Sequence, residues 1–393
     1  MAETARTGIL GILISQRRVG GEGGSDAPLV MPEDDFCRRL CRHGQTIGMF
    51  VFLFCASHAA SAGETAIGGY ALRGGEWQPG SFPLPDVVYD RALPASAGEA
   101  RRFRHALLRL KRRKRFALLN GSLPGKLDVY RALAHDEELL PLLPETEPYS
   151  DAGRLARLLG SHPGGLFLKP AAGMHGKGAL RLLADAEGFR ADGRDRHNRP
   201  LARRFRDWEA AGAWLDRFAS AVPYLVQPCL RLTDEEGRVF DVRALLQKDA
   251  GGRWTFTGAA VRRGGAGSVT ANLHGGGTAA MAAAAFRPRF GEAGAAELLA
   301  RIRRASERTG ACLEAHFGRF AELGLDFGLE PDGRLWLLEA NAKPGRASFA
   351  DDEDAAGTAV RRPLDYAMLL ASRQRPLFPT TRIQRRYIQE VHP

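Results

Sequence analysis

The sequence has few cysteines, and they are too scattered for a fold held together by disulfides. Its 393 residues include five cysteines, whereas small secreted disulfide domains carry an even set at characteristic spacings. Cys37 and Cys41 lie four residues apart, but no second cysteine pair or histidine pair accompanies them, which disfavours a zinc site. We therefore expect incidental thiols and a reducing, cytoplasmic location.

Long apolar runs are also missing. The longest apolar stretch, from Thr46 to Ala60, is shorter than the roughly 20 residues that a membrane-spanning helix needs. It also lies too far from the N-terminus to be a secretion signal. The stretch predicts a buried central β-strand, and we expect no membrane span.

Acidic residues are outnumbered by basic ones, which gives a net charge of +11. Such a balance suits polyanionic partners, among them nucleotides, nucleic acid and acidic peptides. The most basic segment, residues 101–115 (RRFRHALLRLKRRKR), has helical spacing. It could be a nucleic-acid patch or a solvated surface helix, and the lack of interleaved aromatic residues favours the surface helix. Nucleic acid is therefore not an expected partner.

The chain is long enough for two or three domains, and its pattern is typical of an α/β protein. Within the first 115 residues, a strand at 8–15, a helix at 33–45 and a strand at 46–56 are followed by a strand at 86–89, which predicts a small α/β domain. Further helices are predicted from Lys126 onward and over 151–160, 207–219 and 292–319. Further strands are predicted over 165–170, 179–183, 222–230, 239–247, 253–262, 322–330 and 334–340. The charged segment 184–206 is predicted to be an exposed loop or an irregular edge.

A lysine and a glycine-rich loop form the first candidate site. The strand over 165–170 carries Lys169 and leads into 171–178 (AAGMHGKG), after which the chain turns back into a strand. Glycines let backbone amides approach a phosphate, and lysines supply positive charge. The sequence lacks the Walker A pattern, and the strand that follows argues against a dinucleotide-binding turn. A tight hairpin without a ligand is the alternative.

Oxygen-bearing side chains near the C-terminal end form the second candidate site. A turn at Pro331-Asp332-Gly333 would join two strands and bring Asp326 beside Glu339, while Asn341 shares a strand face with Glu339. Two carboxylates and an amide oxygen suit Mg²⁺ that carries ATP phosphates. The alternative is an ordinary acidic strand end, which fits poorly with the apolar surroundings of both carboxylates.

Arginines on predicted strands form the third candidate site. Asp241 and Arg243 share one strand face, and Arg262 follows on the next strand, before a glycine-rich loop at 264–278 that contains Asn272 and Gly275-Gly276-Gly277. Arginine can neutralise a transferring phosphoryl group or an acyl phosphate. For Asp241 and Arg243 a surface ion pair is the alternative.

The order of these units resembles that of the ATP-grasp superfamily. The pieces FDVRALLQ, GAAVRRGG, TANLHGGG and LLEANAKPG look like RimK-type glutamate ligases and glutathione synthetases. The pieces VYDRA, GKLDVYRAL, LPETEPY, FLKPAAGMHGKG and ELGLDFGLEPDGRLWLLEANAKPGR are most similar to the YheC/YheD family of endospore coat-associated ATP-grasp proteins. The resemblance covers residues from about 85 to 370.

This resemblance implies an ATP-grasp fold, in which two α+β lobes clasp ATP, preceded by an N-terminal α/β pre-ATP-grasp domain. The implied domains are 1–119 for the N-terminal domain, 120–226 for the small lid lobe, 227–380 for the C-terminal lobe with the metal site, and 381–393 for a tail.

The resemblance also implies a role for individual residues, with ATP and Mg²⁺ as cofactors. Lys126 and Lys169 would contact ATP, and the loop residues Gly173, Gly176, Lys177 and Gly178 would cover its phosphates. Gln227, Cys229 and Leu230 would line the adenine pocket, with the Cys229 or Leu230 amide replacing the donor that Pro228 lacks. Arg243 and Arg262 would be catalytic, stabilising an acyl phosphate, and Asp326, Glu339 and Asn341 would bind Mg²⁺.

The implied activity is ATP-dependent carboxylate–amine ligation through an acyl phosphate, with small-molecule or peptide carboxylates and amines as partners. Lys343 and Arg346, just after the metal strand, would dock a second anion. The alternatives are a non-catalytic spore-coat-associated protein and a kinase on the same scaffold, since a fold alone does not establish activity.

Overall fold

The computed structural model describes residues 8–15, 17–18, 29–173, 176–265, 271 and 277–374. The chain forms two compact units. The first comprises the chain up to Asn120, the turn Asp249–Gly252 and the chain from Val360 on, and the second comprises Gly121–Lys248 and Arg253–Ala359. The division into four segments that the sequence suggests stays a prediction. In the described part of the chain, no helix is both long and apolar enough to cross a membrane.

The first unit is built on a mixed sheet with the strand order β6-β5-β4-β1-β7-β8. Its elements are β1 (Gly8–Leu13), β2 (Arg17–Arg18), β3 (Leu29–Val30), α1 (Asp34–Thr46), β4 (Met49–Phe54), α2 (Ala56–Ser61), β5 (Ala66–Arg73), β6 (Glu76–Pro83), β7 (Val87–Asp90), α3 (Ala97–Arg113) and β8 (Ala117–Leu118). Strands β4, β1, β7 and β8 run parallel, and β5 and β6 form an antiparallel hairpin. The β2 and β3 pieces pair with each other.

The apolar run at 46–60 supplies the interior strand β4, which confirms the prediction of a buried central strand. Phe52, Leu53 and Phe54 are completely buried. A parallel strand in the middle of a sheet is covered on both faces, so it requires apolar residues at consecutive positions.

The second unit contains an antiparallel sheet with the strand order β13-β12-β11-β10-β14-β9. Its elements are α4 (Lys126–Ala134), β9 (Glu147–Pro148), α5 (Ala152–Ser161), β10 (Leu166–Pro170), β11 (Leu180–Asp185), β12 (Gly188–Arg194), β13 (Pro200–Phe205), α6 (Trp208–Ala219) and β14 (Tyr224–Pro228). Leu155 of α5 and Leu215 of α6 are buried in one apolar cluster with Leu166, Leu180 and Tyr224 of the sheet.

The prediction of a loop or irregular edge over 184–206 is wrong for most of that segment, because β12 and β13 occupy it. These strands pair in regular antiparallel register from Phe189–Phe205 to Arg194–Pro200. They lie toward the open edge of the sheet, with Phe189, Ala191 and Leu201 on the face that packs against the apolar cluster and charged side chains on the other face. The alternation is short, and Arg203 interrupts it on the apolar face, so the segment has the charged composition of a loop.

A second antiparallel sheet in this unit has the strand order β17-β16-β15-β18-β19. Its elements are β15 (Phe240–Lys248), β16 (Trp254–Arg263), β17 (Thr278–Met281), α7 (Ala282–Phe317), β18 (Glu322–Leu329), β19 (Leu335–Asn341) and α8 (Glu353–Gln374), which continues into the first unit. Helix α7 begins ten residues earlier than predicted. Gly291 has a non-helical φ of 67° and divides α7, which explains why the apolar periodicity indicates a start at 292.

The predicted hairpin turn Pro331-Asp332-Gly333 is present and joins β18 to β19. In the same sheet, Asp249–Gly252 joins β15 to β16. Of the predicted glycine-rich loop, Asn272 and residues 273–276 lie outside the described residues.

Candidate functional site

The register of β18 against β19 places Asp326 directly opposite Glu339, which confirms the prediction that the two carboxylates lie side by side. Asn341 lies opposite Gly324, one step further along the same strand face as Glu339. The register then steps from Asp326–Glu339 to Phe327–Leu337, so Leu338 is the additional residue of a β-bulge.

Two arginines hold the carboxylate of Asp326. Arg243, opposite Asp326 on β15, donates from Nε over 2.5 Å and from Nη2 over 3.0 Å. Nη2 of Arg262 lies 3.1 Å from the Oδ1 atom of Asp326, and Arg262 donates two hydrogen bonds of 2.6 Å to Asp241, its cross-strand neighbour. The four side chains are only 6–13% exposed. They form a buried network of two cations and two anions, which we call the arginine–aspartate network.

The sequence alternative of a surface pair between Asp241 and Arg243 is therefore wrong. Both residues are buried, and each forms its ion pair with a residue on a neighbouring strand. The alternative failed because the register between neighbouring strands, and not the position on one strand, decides which oppositely charged residue is nearest.

The network shifts the pKa of each aspartate in a different direction. Burial raises the pKa of Asp326, but Arg243 and Arg262 outweigh it and bring the pKa down to about 2. Burial raises the pKa of Asp241 to about 6, against the effect of Arg262. Both carboxylates are thus ionised at neutral pH, as the bound guanidinium groups require.

Two lysines of the second unit, one on helix α4 and one on the other sheet, reach β19. Lys126 is the first residue of α4, and its Nζ lies 3.5 Å from Oε2 of Glu339. Lys169, on β10, donates through Nζ to the carbonyl of the bulged residue Leu338 over 3.4 Å. Burial, and next the charge of Lys126, lower the pKa of Lys169 to about 8. The structure thus brings both predicted lysines to the strand that carries Glu339.

The donor atoms around Glu339 fit a magnesium ion. Mg²⁺ prefers oxygen ligands and usually takes only one or two carboxylates from the protein. Glu339 and Asn341 supply a carboxylate and an amide oxygen, and Glu339 is half-buried with its lysine partner at ion-pair distance. Over the described ranges there is no cluster of three or more His, Cys, Asp and Glu side chains that could hold a metal. The assignment of Asp326, Glu339 and Asn341 as ligands stays a prediction.

The glycine-rich loop joins β10 to β11, which pair in antiparallel register. Gly176 and Gly178 have φ angles of 71° and 74°. A Cβ atom on Gly178 would lie 2.8 Å from the hydroxyl of Tyr224, so this turn requires glycine. Gly173 and Lys177 are exposed. Met174 and His175 lie outside the described residues, and the role of the loop as a lid stays a prediction.

At the end of β14, groups considered for adenine recognition are already engaged. The side chain of Gln227 is buried and donates to the hydroxyl of Thr146 over 2.7 Å. The amide of Cys229 donates to the carbonyl of Gly165 over 2.9 Å. Leu230 is therefore the better candidate of the two amides proposed to bind adenine.

Arg346 does not have the position expected of a second anion site. It donates to the carbonyl of Pro344 over 2.7 Å and pairs with the completely buried carboxylate of Glu322, which also accepts from Gln247 over 3.1 Å. Glu322 is a member of this cluster that was not predicted from the sequence. A spacing signal was present, because Glu322 lies four residues before Asp326 and so faces the same side of β18. The role of Lys343 stays a prediction.

Comparison with known proteins identifies the family. The model of the YheC/D-like ATP-grasp family matches residues 115–370. The chain belongs to this family. The match confirms the resemblance and the ATP-grasp fold, and it includes every predicted site residue.

Curated relatives agree with this assignment. The endospore coat-associated protein YheD of Bacillus subtilis (strain 168) is 28% identical over 346 residues, which cover 86% of this chain and 74% of YheD. The endospore coat-associated protein YheC of the same organism is 29% identical over 276 residues, which cover 70% of this chain and 74% of YheC.

Among solved structures, the D-cycloserine synthetase DcsG has the same fold. It is 16% identical and superposes with a TM-score of 0.51, covering 94% of this chain and 100% of DcsG.

Proposed function

We propose that this ATP-grasp protein is an ATP-dependent carboxylate–amine ligase that works through an acyl phosphate on an amino acid or a peptide. The observation that carries the proposal is the meeting of Lys126 and Lys169 with the strand of Glu339 and Asn341. Cations from α4 and β10 together with oxygen ligands from β19 would neutralise the phosphates of a nucleotide and coordinate its metal ion.

Lys126 and Lys169 would bind phosphate oxygens, and Asp326, Glu339 and Asn341 would hold Mg²⁺. When bound, Mg²⁺ supplies charge neutralisation on the transferring phosphoryl group. A buried lysine with a pKa of about 8 is still mostly protonated at neutral pH, and a phosphate close to it would favour the protonated form further.

Arg243 and Arg262 would stabilise the acyl phosphate. A guanidinium group has five N–H donors in one plane. Asp241 and Asp326 accept part of that set and fix the orientation of both planes. Hydrogen-bond donors that are already oriented before the reaction stabilise the developing charge without having to reorient. We expect this to be the main contribution of the protein to catalysis.

Two other functions fit the same fold. The curated relatives are named endospore coat-associated proteins, so a non-catalytic role in such an assembly, with a cytoplasmic or spore-associated location, is one alternative. A kinase is the other, because the same charges would serve phosphoryl transfer to an alcohol.

The test is to screen amino acids and short peptides for ADP release, with hydroxylamine present to trap an acyl phosphate. A hydroxamate that forms only with ATP, Mg²⁺ and a carboxylate would support the ligase. A stable phosphorylated alcohol would establish a kinase instead. Nucleotide binding without turnover across the screen would favour the non-catalytic role.

A further inference from the structure

Helix α3 of the first unit has one apolar face and one strongly basic face. Phe103, Ala106 and Leu110 are buried in the core of that unit. The opposite side, which we call the α3 basic face, is exposed to solvent along the whole helix. Its members are Arg101, Arg102, Arg104, Leu108, Arg109, Lys111 and Arg112.

The cations of the α3 basic face have no anionic partners within the described part of the chain. No carboxylate oxygen of a described residue lies within 4.0 Å of them, whereas exposed arginines on other helices, such as Arg154 and Arg304, pair with glutamates. The acidic residue of α3, Glu99, accepts a hydrogen bond from the amide of Ala95. Like charges three and four residues apart repel each other on a helix, so an external anion would relieve this repulsion.

Leu108 distinguishes between the possible polyanions. Its 54% exposure is the highest among the exposed large apolar residues of the described chain, and it lies one helical turn from Arg104 and from Arg112. An apolar side chain amid cations has no role in contacts with nucleic-acid phosphates. At a lipid interface, the leucine inserts below the headgroups while the arginines meet lipid phosphates.

We propose that the α3 basic face docks the protein on an anionic membrane surface. Because the apolar face of α3 is buried in the first unit, the helix cannot insert as a whole, and attachment is peripheral. Six cations supply the attraction, and Leu108 supplies the additional apolar contact that a stable peripheral attachment requires. The α3 basic face belongs to the first unit and the residues proposed for ligation to the second, and the test measures binding and does not depend on turnover.

The experiment measures co-sedimentation of the full chain with vesicles of phosphatidylcholine, with and without phosphatidylglycerol. The variant Arg101→Gln/Arg104→Gln/Arg109→Gln removes three charges from the α3 basic face. Each basic residue near an anionic surface contributes roughly five-fold in binding, so affinity for the anionic vesicles should fall on the order of one hundred-fold. Wild-type binding should weaken as salt rises, because the attraction is electrostatic.

A matched control removes three exposed, ion-paired arginines of the second unit, Arg154→Gln/Arg287→Gln/Arg304→Gln. It should bind within a few-fold of wild type, and circular dichroism verifies that both triple variants fold. An equal loss in both variants would overturn the proposal, because net charge alone would then explain the binding.

Two further measurements separate the lipid surface from other partners. Leu108→Ser should lower affinity for the anionic vesicles several-fold while leaving its salt dependence unchanged, and unchanged affinity would contradict the insertion. Fluorescence anisotropy with a duplex oligonucleotide tests whether the α3 basic face binds nucleic acid instead. Duplex binding that the α3 triple variant abolishes, together with no binding to anionic vesicles, would assign the surface to nucleic acid and overturn the proposal.

Discussion

At the scale of single residues, substitutions can distinguish the role of Asp326 in folding from the role of Glu339 in activity. Its carboxylate accepts hydrogen bonds from Arg243, and Arg262 lies within ion-pair distance, so it neutralises buried cations before any ligand arrives. Glu339 is half-buried and lies at a looser 3.5 Å from Lys126. We therefore expect Asp326 to act in folding as well as in activity, and Glu339 in activity alone.

Asp326→Asn should lower the free energy of unfolding by about 3 kcal/mol, because removing one partner of a buried ion pair leaves the other uncompensated. The pKa of Asp326 is depressed to about 2 in the folded state, against about 3.9 in the unfolded state. The stabilisation is therefore fully present above about pH 4 and is lost as the pH falls toward 2. Urea unfolding at several pH values measures the difference between wild type and variant.

The matched control is Asp351→Asn, at an exposed position, which should change stability by no more than about 0.5 kcal/mol. A stability difference for Asp326→Asn that stayed constant from pH 7 down through the acid range would show that the carboxylate is not held as an anion by the arginines.

Glu339→Gln and Asn341→Ala should abolish turnover while leaving folding nearly intact. Both remove an oxygen ligand of the proposed Mg²⁺, and loss of charge neutralisation in the transition state costs about a hundred-fold or more in rate. ADP release measures the first effect and thermal unfolding the second. Glu235→Gln, at an exposed position in a turn, is the charge-matched control and should retain full activity. Full activity in either site variant would refute the metal assignment.

Most members of the site are recognisable in the sequence, but not all of their contacts are. Asp326, Glu339 and Asn341 could be placed because a short hairpin turn fixes their register. The pairing of Arg262 with Asp241, and of Arg346 with Glu322, could not be placed. The first contact depends on a β-bulge at Leu245–Leu246 that shifts the register of the β15–β16 hairpin. The second depends on how the loop after β19 folds back over Gly324.

At the scale of elements, the turn between β10 and β11 depends on glycine. Gly178→Ala should destabilise the protein by about 1–3 kcal/mol, because the φ of 74° strains an alanine and its Cβ would lie 2.8 Å from the Tyr224 hydroxyl. The substitution should also weaken binding of an ATP analogue, since Gly178 lies in the segment predicted to cover the phosphates. Chemical denaturation and titration calorimetry measure the two effects.

Gly160→Ala is the control for this turn. Gly160 lies in α5 with no heavy atom within 4 Å of the added Cβ, and alanine favours a helix by about 0.5–1 kcal/mol. This variant should be as stable as wild type or more so. If Gly178→Ala behaved in the same way, the turn would not need glycine.

The sequence patterns indicated elements reliably where burial differs between the two sides of a helix or strand. Helix α1 carries that contrast, whereas the interior strand β4 is indicated by its continuous apolar run and the two hairpins of the last sheet by their turn residues. Strands β12 and β13 carry it weakly, because charged side chains dominate both and Arg190 pairs with Asp192 of its own strand. A segment so rich in charge has the composition of a loop.

At the scale of the whole molecule, the candidate site draws on both sheets of the second unit. Lys126 and Lys169 belong to the first half of that unit, and Glu339 and Asn341 to the second half. The family match, which spans residues 115–370, agrees with a site assembled across this whole region. No single motif could have predicted it, and the order of the motifs along the chain was the informative feature.

Nucleotide binding should stabilise the folded state of the whole chain. A ligand that binds only the folded state stabilises it by about 2.7 kcal/mol at one hundred times its Kd, so a non-hydrolysable ATP analogue with Mg²⁺ should raise the midpoint of thermal unfolding by several degrees. Lys169→Met should lose most of this increase because it removes a buried cation from the phosphate side of the site. Lys111→Met, on the α3 basic face of the other unit, removes the same charge and should keep the increase.

Differential scanning calorimetry with and without the analogue measures all three proteins. An unchanged midpoint for the wild type at saturating analogue would contradict nucleotide binding, and an equal increase in Lys169→Met would place the phosphates elsewhere.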